Sequence, residues 1–293
     1  MRKTNEEYIS TYSKERFQNA FPFEYINGIY HMLRSEGAKK DYSRNLFNQI
    51  QGDIKLQMRS VLVDWMLSIG LKFCKNPKTI FLGINLLNRY LCKKSVSMLK
   101  LQALGAACIF LAFKYEEVLL LKAKCLEYLS DEAVKVNDIK EFEYDILSTL
   151  DFDILIPNEY DIFELMCIKH QFSEDEIDFG TNLLLLFLLD ENEMDYSPTE
   201  IVDAICMLIA DKYHNERAIE FYLKDVEGIF STSKDAARKI LTFFTFTPLY
   251  KFDSFKHISN IIFLKKTQRI QIQQNQNENE NNSETHSTNG IFI

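Results

Sequence analysis

The sequence predicts an all-α protein built from two consecutive bundles of helices. Glycine and proline are scarce, with 9 and 5 among 293 residues, which argues against a turn-rich β protein and favours long helices. Apolar residues in the central part of the chain recur at the spacing of a helix rather than alternating. A chain of this length has room for two domains, each able to bury its own core.

The first bundle is organised around a helix over residues 58–73. Two apolar stripes run along it, one of Met58, Val61, Leu62, Trp65, Ile69 and Phe73 and the other of Val63, Met66, Leu67 and Leu71. A helix that is apolar nearly all round is central to a domain, or it packs one stripe on the core and offers the other to a partner. Arg59 lies beside the second stripe and needs an acceptor, because a buried charge is costly unless it is paired.

Four further helices complete this bundle, and a short one precedes it. Asn76-Pro77 supplies an N-cap followed by proline at the first helical position. Small residues in the third helix predict close packing in the middle of the bundle. The upstream helix within residues 21–33 is amphipathic and can dock on its own domain or on a partner, and the polar residues 35–57 form a connector. The four helices are predicted at about 76–90, 98–114, 121–129 and 137–150.

A second series of helices begins at Pro157. Ser173-x-x-Glu176 and Ser197-Pro198-Thr199-Glu200 are capping boxes that start helices at about 174–190 and 198–213, and a last helix spans about 233–246. The acidic residues Asp190, Glu191, Glu193 and Asp195 are interpreted as a solvated loop. We therefore divide the chain into a flexible segment (1–20), a first bundle with its preceding helix (21–156), a second bundle (157–264) and a polar, low-complexity tail that we expect to be disordered (265–293).

Composition and motifs exclude several classes of function. A net charge of −8 disfavours nucleic-acid binding, the longest unbroken apolar runs are too short to span a membrane, and the N-terminus has no signal-peptide pattern. The six cysteines are far apart, which indicates buried, reduced thiols in a soluble intracellular protein. We find no enzyme motif and no histidine or cysteine spacing suited to a metal, so we expect neither catalysis nor a cofactor.

Four motifs in the first bundle resemble the cyclin box in spacing and order. They are Met58-Arg59-x-x-Leu62-x-Asp64-Trp65, Leu87-Asn88-Arg89-Tyr90-Leu91, Leu101-Gln102-x-x-Gly105 and Ala112-Phe113-Lys114-Tyr115-Glu116-Glu117. The similarity runs from about residue 25 to 155, continues more weakly to 250, and is greatest with mitotic A/B-type cyclins. It implies two five-helix cyclin folds. It also implies a regulatory subunit that binds and activates a cyclin-dependent serine/threonine kinase, recruits substrates and controls cell-cycle progression at G2/M, in the nucleus, the cytoplasm or both.

The resemblance also assigns residues to two surfaces. A charged pair on the first bundle, one apolar residue after it and one face of the upstream helix match kinase contacts. A groove on the central helix matches the patch that captures Arg-x-Leu peptides of substrates and inhibitors. The kinase contacts are Lys114, Glu143, Phe152, Tyr25, Ile29 and Met32, and the docking patch is Met58, Val61, Leu62, Trp65 and Gln102.

Several positions depart from the family pattern. Ser68 stands where an acidic residue helps to hold the peptide arginine. Asn88 stands where the family has the acidic partner of the buried arginine, so Arg59 is expected to meet an amide oxygen, at a cost of about 1 kcal/mol or more unless another acceptor substitutes. Ala103 replaces a leucine, and Phe113 replaces a small residue. The N-terminal segment shows no Arg-x-x-Leu destruction motif, which puts degradation of the usual mitotic kind in doubt.

Two alternative functions stay open at the level of sequence. A cyclin-fold transcription-associated factor predicts a basic face and often a metal ribbon, and the acidic net charge and scattered cysteines argue against it. A non-activating interaction scaffold is consistent with the departures at Asn88, Ala103 and Ser68.

Overall fold

The computed structural model describes residues 25–37, 40–74, 76–119, 121–223 and 231–246. The predictions made for the segment 1–20 and for the tail from 265 onward lie outside these residues, as does the start of the upstream helix at 21–24.

The described residues form helices without a strand, which confirms the predicted fold class. Helices α3–α7 make the first bundle and α8–α12 the second, with α1 and α2 ahead of them. A 3₁₀ turn precedes α5, another links α9 to α10, and a π turn follows α11. The helices are α1 Ile26–Gly37, α2 Arg44–Ile50, α3 Leu56–Phe73, α4 Pro77–Leu91, α5 Leu101–Glu116, α6 Ala123–Leu129, α7 Val136–Thr149, α8 Glu159–His170, α9 Glu174–Phe187, α10 Pro198–Tyr213, α11 Glu216–Ala218 and α12 Ser231–Phe246.

Helix α5 lies in the middle of the first bundle, as its small residues predict. A Cβ atom on Gly105 would lie 2.6 Å from Cδ1 of Leu62 on α3, and one on Gly83 of α4 would lie 3.1 Å from Cδ1 of Ile109. Helices α3 and α4 therefore both approach α5 closely where a side chain is missing. This places α3 directly beside α5 in the first bundle.

The predicted helix starts are confirmed at the level of single hydrogen bonds. Asn76 Oδ1 accepts from the Lys78 backbone N–H at 3.1 Å, and Pro77 follows the cap. Both capping boxes are complete, because Ser173 and Ser197 each exchange hydrogen bonds with the glutamate three residues later. These short-range signals fix where α4, α9 and α10 begin.

The connector prediction for residues 35–57 is wrong in part, because this stretch contains α2. Ser43 caps α2 by accepting from the Leu46 backbone N–H at 3.3 Å, and Phe47 is completely buried. A seven-residue helix with one core side chain carries too little periodicity to be recognised in a polar stretch. Helix α9 also ends at Phe187, earlier than the predicted 190.

One described stretch is long and apolar enough to cross a membrane by length and composition alone. It is Met98–Glu116, which is longer than the unbroken apolar run considered in the sequence, and 67% of its apolar window is buried inside the protein. The stretch contains the core helix α5. The six cysteines carry free thiols, and Cys125 is exposed whereas the other five are buried as predicted.

Candidate functional site

Lys114 and Glu143 form an ion pair on the surface of the first bundle. Lys114 lies in the last turn of α5, Glu143 lies on α7, and these two helices pack side by side. The Lys114 ammonium also lies 4.4 Å from the centroid of the Phe110 ring. The lysine side chain is 40% exposed and the glutamate 20%, so a partner can reach both charges.

At the charged end of α5, Lys114 is exposed whereas Glu117 binds the start of α4. Glu117 Oε1 accepts hydrogen bonds from the Asn76 backbone N–H at 3.0 Å and from Thr79 Oγ1 at 2.9 Å, both at the start of α4. A carboxylate is favourable there because the first N–H groups of a helix lack partners within it. Glu117 therefore fixes the end of α5 that presents Lys114, a role that the sequence pattern did not reveal.

Phe152 lies on the turn that ends α7, as the predicted helix exit requires. Its side chain is 65% exposed, and its N–H donates to the Leu147 carbonyl at 2.8 Å. Asp151 and Phe152 have φ angles of 52° and 60°, in the left-handed region. This conformation is uncommon and costly for a bulky residue, and such strain persists mainly where function uses it. The turn thus holds an apolar ring in solvent.

Arg89 anchors this turn from inside the bundle. Its Nη1 donates to the Asp153 carbonyl at 2.6 Å, and its Nε lies 3.0 Å from both carboxylate oxygens of Asp41. The side chain is 2% exposed. Arg89 belongs to a motif singled out in the sequence, yet its role depends on contacts 48 and 64 residues away and could not be inferred from spacing.

The upstream helix α1 docks on the second bundle with one face and leaves the other face outward. Ile26 and Tyr30 are buried, and α1 packs on α8 and α10. Tyr25 and Met32 are exposed and Ile29 is half-buried. The question left open by the sequence is thereby answered for the buried face. The assignment of the outward face to a kinase stays a prediction.

Exposed large apolar side chains are concentrated in one part of the described chain. All of them lie between residues 25 and 155, and none lies in the described residues of the second bundle. Contiguous exposed apolar surface marks interaction sites. Several of them lie close in sequence to Lys114 or Glu143, or on or just after the turn that ends α7. They are Tyr115, Val118, Leu119, Tyr144, Phe152 and Leu155.

The docking-patch residues lie on two neighbouring helices. Helices α3 and α5 pack together at Leu62 and Gly105. Met58 and Gln102 each precede that contact by about one turn. Val61 is 65% exposed, and Met58, Trp65 and Gln102 are half-buried. Leu62 is buried against Gly105, so it forms the floor of the patch.

Ser68 provides no charge at the edge of the patch. Its hydroxyl donates to the Asp64 carbonyl one turn earlier, at 3.0 Å. The Asp64 side chain is partly exposed. The departure recognised in the sequence therefore leaves Asp64 as the acidic side chain of that edge of α3.

Arg59 meets the amide oxygen of Asn88, as expected, and Glu193 is the further acceptor that the sequence analysis left open. Its Nε donates to Asn88 Oδ1 at 2.7 Å as expected, and its Nη1 donates to the Leu188 carbonyl at 3.1 Å. Its Nη2 lies 2.6 Å from Glu193 Oε2, and both side chains are almost completely buried. Glu193 belongs to the acidic run interpreted as a solvated loop, so that interpretation is wrong at this residue and at the buried Asp190.

Glu193 joins three parts of the chain at the junction of the bundles. Asn88 Nδ2 donates to its Oε2 at 3.2 Å, and the Tyr42 hydroxyl donates to its Oε1 at 3.3 Å. Lys40 donates to the backbone carbonyl of Glu193 at 3.3 Å and to that of Tyr196 at 2.6 Å. Burial is the main cause that lowers the pKa of Lys40 and raises the pKa of Tyr42.

Within the described part of the chain, no three His, Cys, Asp or Glu side chains are grouped to hold a metal ion.

Comparison with known proteins connects this geometry to a family. Residues 28–155, which include the ion pair, the α7 turn and the docking-patch residues, match the family model described as the N-terminal domain of cyclins. This part of the chain is a cyclin N-terminal domain. The resemblance stated from four sequence motifs is thereby confirmed, and the first bundle is the cyclin box.

Curated relatives of the chain include proteins named for different phases of the cell cycle. It is 35% identical over 150 residues to the G2/mitotic-specific cyclin-1 of Saccharomyces cerevisiae, covering 51% of this chain and 31% of the relative. It is 31% identical over 201 residues to the S-phase entry cyclin-6 of the same organism, covering 67% and 52%. The chain thus spans about a third to a half of the length of these relatives.

The fold is shared with a solved cyclin. A viral cyclin from herpesvirus saimiri superposes with a TM-score of 0.63 at 24% identity, covering 72% of this chain and 94% of the viral one. The coverage extends beyond the cyclin box, so the second bundle takes part in the likeness.

Proposed function

We propose that this protein is a regulatory, non-catalytic subunit that binds and activates a cyclin-dependent protein kinase. The observation that carries the proposal is the exposed Lys114–Glu143 pair, flanked in sequence by exposed apolar side chains. A patch of this composition suits a protein interface, where apolar area supplies affinity and charged pairs fix orientation.

Activation follows from the rigidity of this surface. A kinase becomes competent when its mobile αC helix is held inward, which completes the Lys–Glu ion pair that positions the ATP phosphates. A partner can hold that helix only if its own contact residues do not move. Glu117 and Arg89 supply this stiffness, because they tie the end of α5 to α4 and the Phe152 turn to Asp41.

A paired substitution tests the proposal. Lys114→Ala combined with Glu143→Ala removes the charged pair from α5 and α7. Lys100→Ala with Asp138→Ala is the matched control. That pair is slightly more exposed, has an N–O distance of 2.6 Å and joins the start of α5 to the first turn of α7. Neither double variant is expected to change the helical circular dichroism.

Binding is measured with an immobilised, purified cyclin-dependent kinase subunit from Saccharomyces cerevisiae, and activity by phosphate transfer to a peptide substrate. We expect the Lys114/Glu143 variant to lose at least tenfold in affinity and to stop activating, and the control to behave as wild type. Equal binding by both double variants contradicts the assignment of these residues. Failure of the unmodified chain to bind contradicts the proposed function.

We propose a second role for the same domain in recruiting substrates and inhibitors that carry short Arg-x-Leu motifs. Val61, Trp65 and Gln102 provide an apolar groove with a polar rim, and Asp64 offers a carboxylate to an arginine. Val61→Ala with Gln102→Ala spares the buried floor at Leu62. This variant should lower the affinity of a fluorescent Arg-x-Leu peptide severalfold and leave kinase binding unchanged.

Binding without activation in the kinase assay would support the scaffold interpretation instead. The departure at Asn88 is a weaker argument for a scaffold than the sequence indicated, because Glu193 supplies Arg59 with the carboxylate that Asn88 lacks. Action at G2/M stays a prediction, since the relatives are named for both S phase and mitosis. Location in the nucleus, the cytoplasm or both stays a prediction as well.

A further inference from the structure

Helix α1 is held to the second bundle through one buried carboxylate. Asp203 on α10 is completely buried, and its Oδ1 accepts from the Tyr30 hydroxyl at 2.7 Å. Its Oδ2 lies 2.5 Å from Nη1 of Arg34, which also donates to the Tyr30 oxygen at 3.0 Å. The side chains of Tyr30 and Arg34, both on α1, therefore meet at Asp203.

Aromatic and cationic groups close the same junction. The Lys169 ammonium on α8 lies 3.2 Å from the centroid of the Phe221 ring and 4.8 Å from that of Tyr30. The Tyr30 and Phe221 rings meet edge to face at a centroid distance of 5.9 Å. A cation over aromatic faces adds attraction that grows as water is excluded. The junction is specific in geometry as well as apolar.

Helix α1 depends on this junction for its order. It has 12 residues, and an isolated helix of about 12–15 residues is marginal in water. Burial of Ile26 and Tyr30, together with the contacts of Asp203, supplies what the helix lacks by itself. Burial is also the main cause that raises the pKa of Asp203, and Tyr30, Arg34 and Tyr222 act in the opposite direction.

The two parts of the proposed kinase-binding surface therefore rest on different bundles. Lys114, Glu143 and Phe152 belong to the first bundle, whereas the outward face of α1 is set by the second. We propose that Asp203 is a positioning residue for kinase binding, which orients the Tyr25, Ile29 and Met32 face from the buried side of the junction. This inference rests on the proposed function and adds a role for the second bundle to it.

Tyrosine-to-phenylalanine substitutions make a matched test. Tyr30→Phe removes the hydrogen bond from α1 to Asp203. Tyr196→Phe removes a hydrogen bond of 2.5 Å between another buried tyrosine and Asp235, both within the second bundle. Asp203→Asn removes the charge that pairs with Arg34 and keeps an oxygen that can accept from Tyr30.

Two quantities are measured on the full chain: hydrogen exchange of the amides in residues 26–37, and affinity for the kinase subunit used above. We expect Tyr30→Phe and Asp203→Asn to speed exchange in α1 at least tenfold and to weaken kinase binding at least fivefold, and Tyr196→Phe to change neither. The melting temperature reports whether the bundles stay folded.

Faster exchange in α1 with unchanged kinase affinity overturns the inference and leaves the proposed function standing. Weaker binding with unchanged exchange overturns it as well, because positioning would then not be the cause. If the unmodified chain does not bind the kinase, the proposed function and this inference fail together. If the Asp203→Asn variant does not fold, the inference is tested by comparing the Tyr30→Phe variant with the Tyr196→Phe variant in both measurements.

Discussion

Glu193 Oε2 lies 2.6 Å from Nη2 of Arg59, and this ion pair is buried between the two bundles. Arg59 belongs to α3, the helix that carries the candidate docking patch, and Glu193 belongs to the turn between α9 and α10. A carboxylate supplied by α4 at position 88 would have kept the pair within one bundle. With Asn88 in that place, the charge of α3 is balanced across the junction, so the second bundle stabilises the position of the first.

Glu193→Gln is expected to destabilise the protein strongly. Removing one partner of a buried ion pair leaves an uncompensated charge and typically costs about 3–5 kcal/mol. Adding Asn88→Asp to this variant should recover more than half of the loss, because a carboxylate then stands where Arg59 Nε already finds Asn88 Oδ1. Urea unfolding of the single and double variants measures both effects.

Glu191→Gln is the control for that series. It lies in the same 3₁₀ turn and is partly exposed, so it should change the free energy of unfolding by less than about 0.5 kcal/mol. A double variant no more stable than Glu193→Gln alone would show that a carboxylate on α4 cannot substitute for one from the second bundle.

Glu159→Gln should make stability less dependent on pH. Burial and the nearby Glu193 raise the pKa of Glu159 from 4.5 to about 7, against the opposite effect of Lys40. The folded state then holds the Glu159 proton more tightly than the unfolded state does. The contribution of this group to the free energy of unfolding is therefore fully present below about pH 4.5 and is lost as the pH rises through about 7. The glutamine keeps the shape without the charge.

The variant should therefore be more stable than wild type at pH 8, by about 1–3 kcal/mol, and close to it at pH 5. The midpoint of urea unfolding between pH 5 and pH 9 measures this difference. A difference that stays constant over this range would mean that Glu159 does not titrate as expected.

His170→Phe should flatten the acid side of the stability profile. Burial and the charge of Lys169 lower the pKa of His170 from 6.5 to about 3, so the folded protein holds it neutral. The contribution of neutral His170 to the free energy of unfolding is fully present above about pH 6.5 and is lost as the pH falls toward 3. The rings of Phe172, Phe221 and Tyr222 lie against His170, so phenylalanine keeps an aromatic ring in that place without a charge.

Thermal unfolding between pH 4 and pH 7 measures the effect. The melting temperature of wild type should fall more steeply with acidification than that of the variant. Parallel profiles would assign the acid sensitivity to other groups.

Gly105→Ala should strain the contact between α3 and α5. The added Cβ would lie 2.6 Å from Leu62 Cδ1, so the Leu62 side chain must shift, and overpacking of this kind costs about 1–3 kcal/mol. Gly28→Ala is the control, because nothing lies within 4 Å of its added Cβ and alanine favours a helix by about 1 kcal/mol. Chemical denaturation should show opposite signs for the two substitutions.

Local signals in the sequence predicted where the helices begin, but they did not predict which residues far apart in sequence form contacts. Asn76, Ser173 and Ser197 act on backbone groups two or three residues away, so their roles follow from spacing. Glu193 meets Arg59 across 134 residues, and nothing in an acidic run indicates which carboxylate is buried.

The candidate site divides in the same way. The pairing of Lys114 with Glu143 followed from a family resemblance and is present in the structure. Glu117 and Arg89 were not assigned any role, because each acts on a segment 38 to 64 residues away. Tertiary contacts of this kind have no periodicity to detect.

The docking of α1 also sets an order of events during synthesis. Tyr30 and Asp203 are 173 residues apart, and chains are made at about 5–20 residues per second, so their meeting is delayed by about 9–35 s after Tyr30 is incorporated. The first bundle can be complete during this interval while α1 has nothing to pack on. A nascent chain therefore acquires the outward face of α1 after the first bundle, although that helix is synthesised before it.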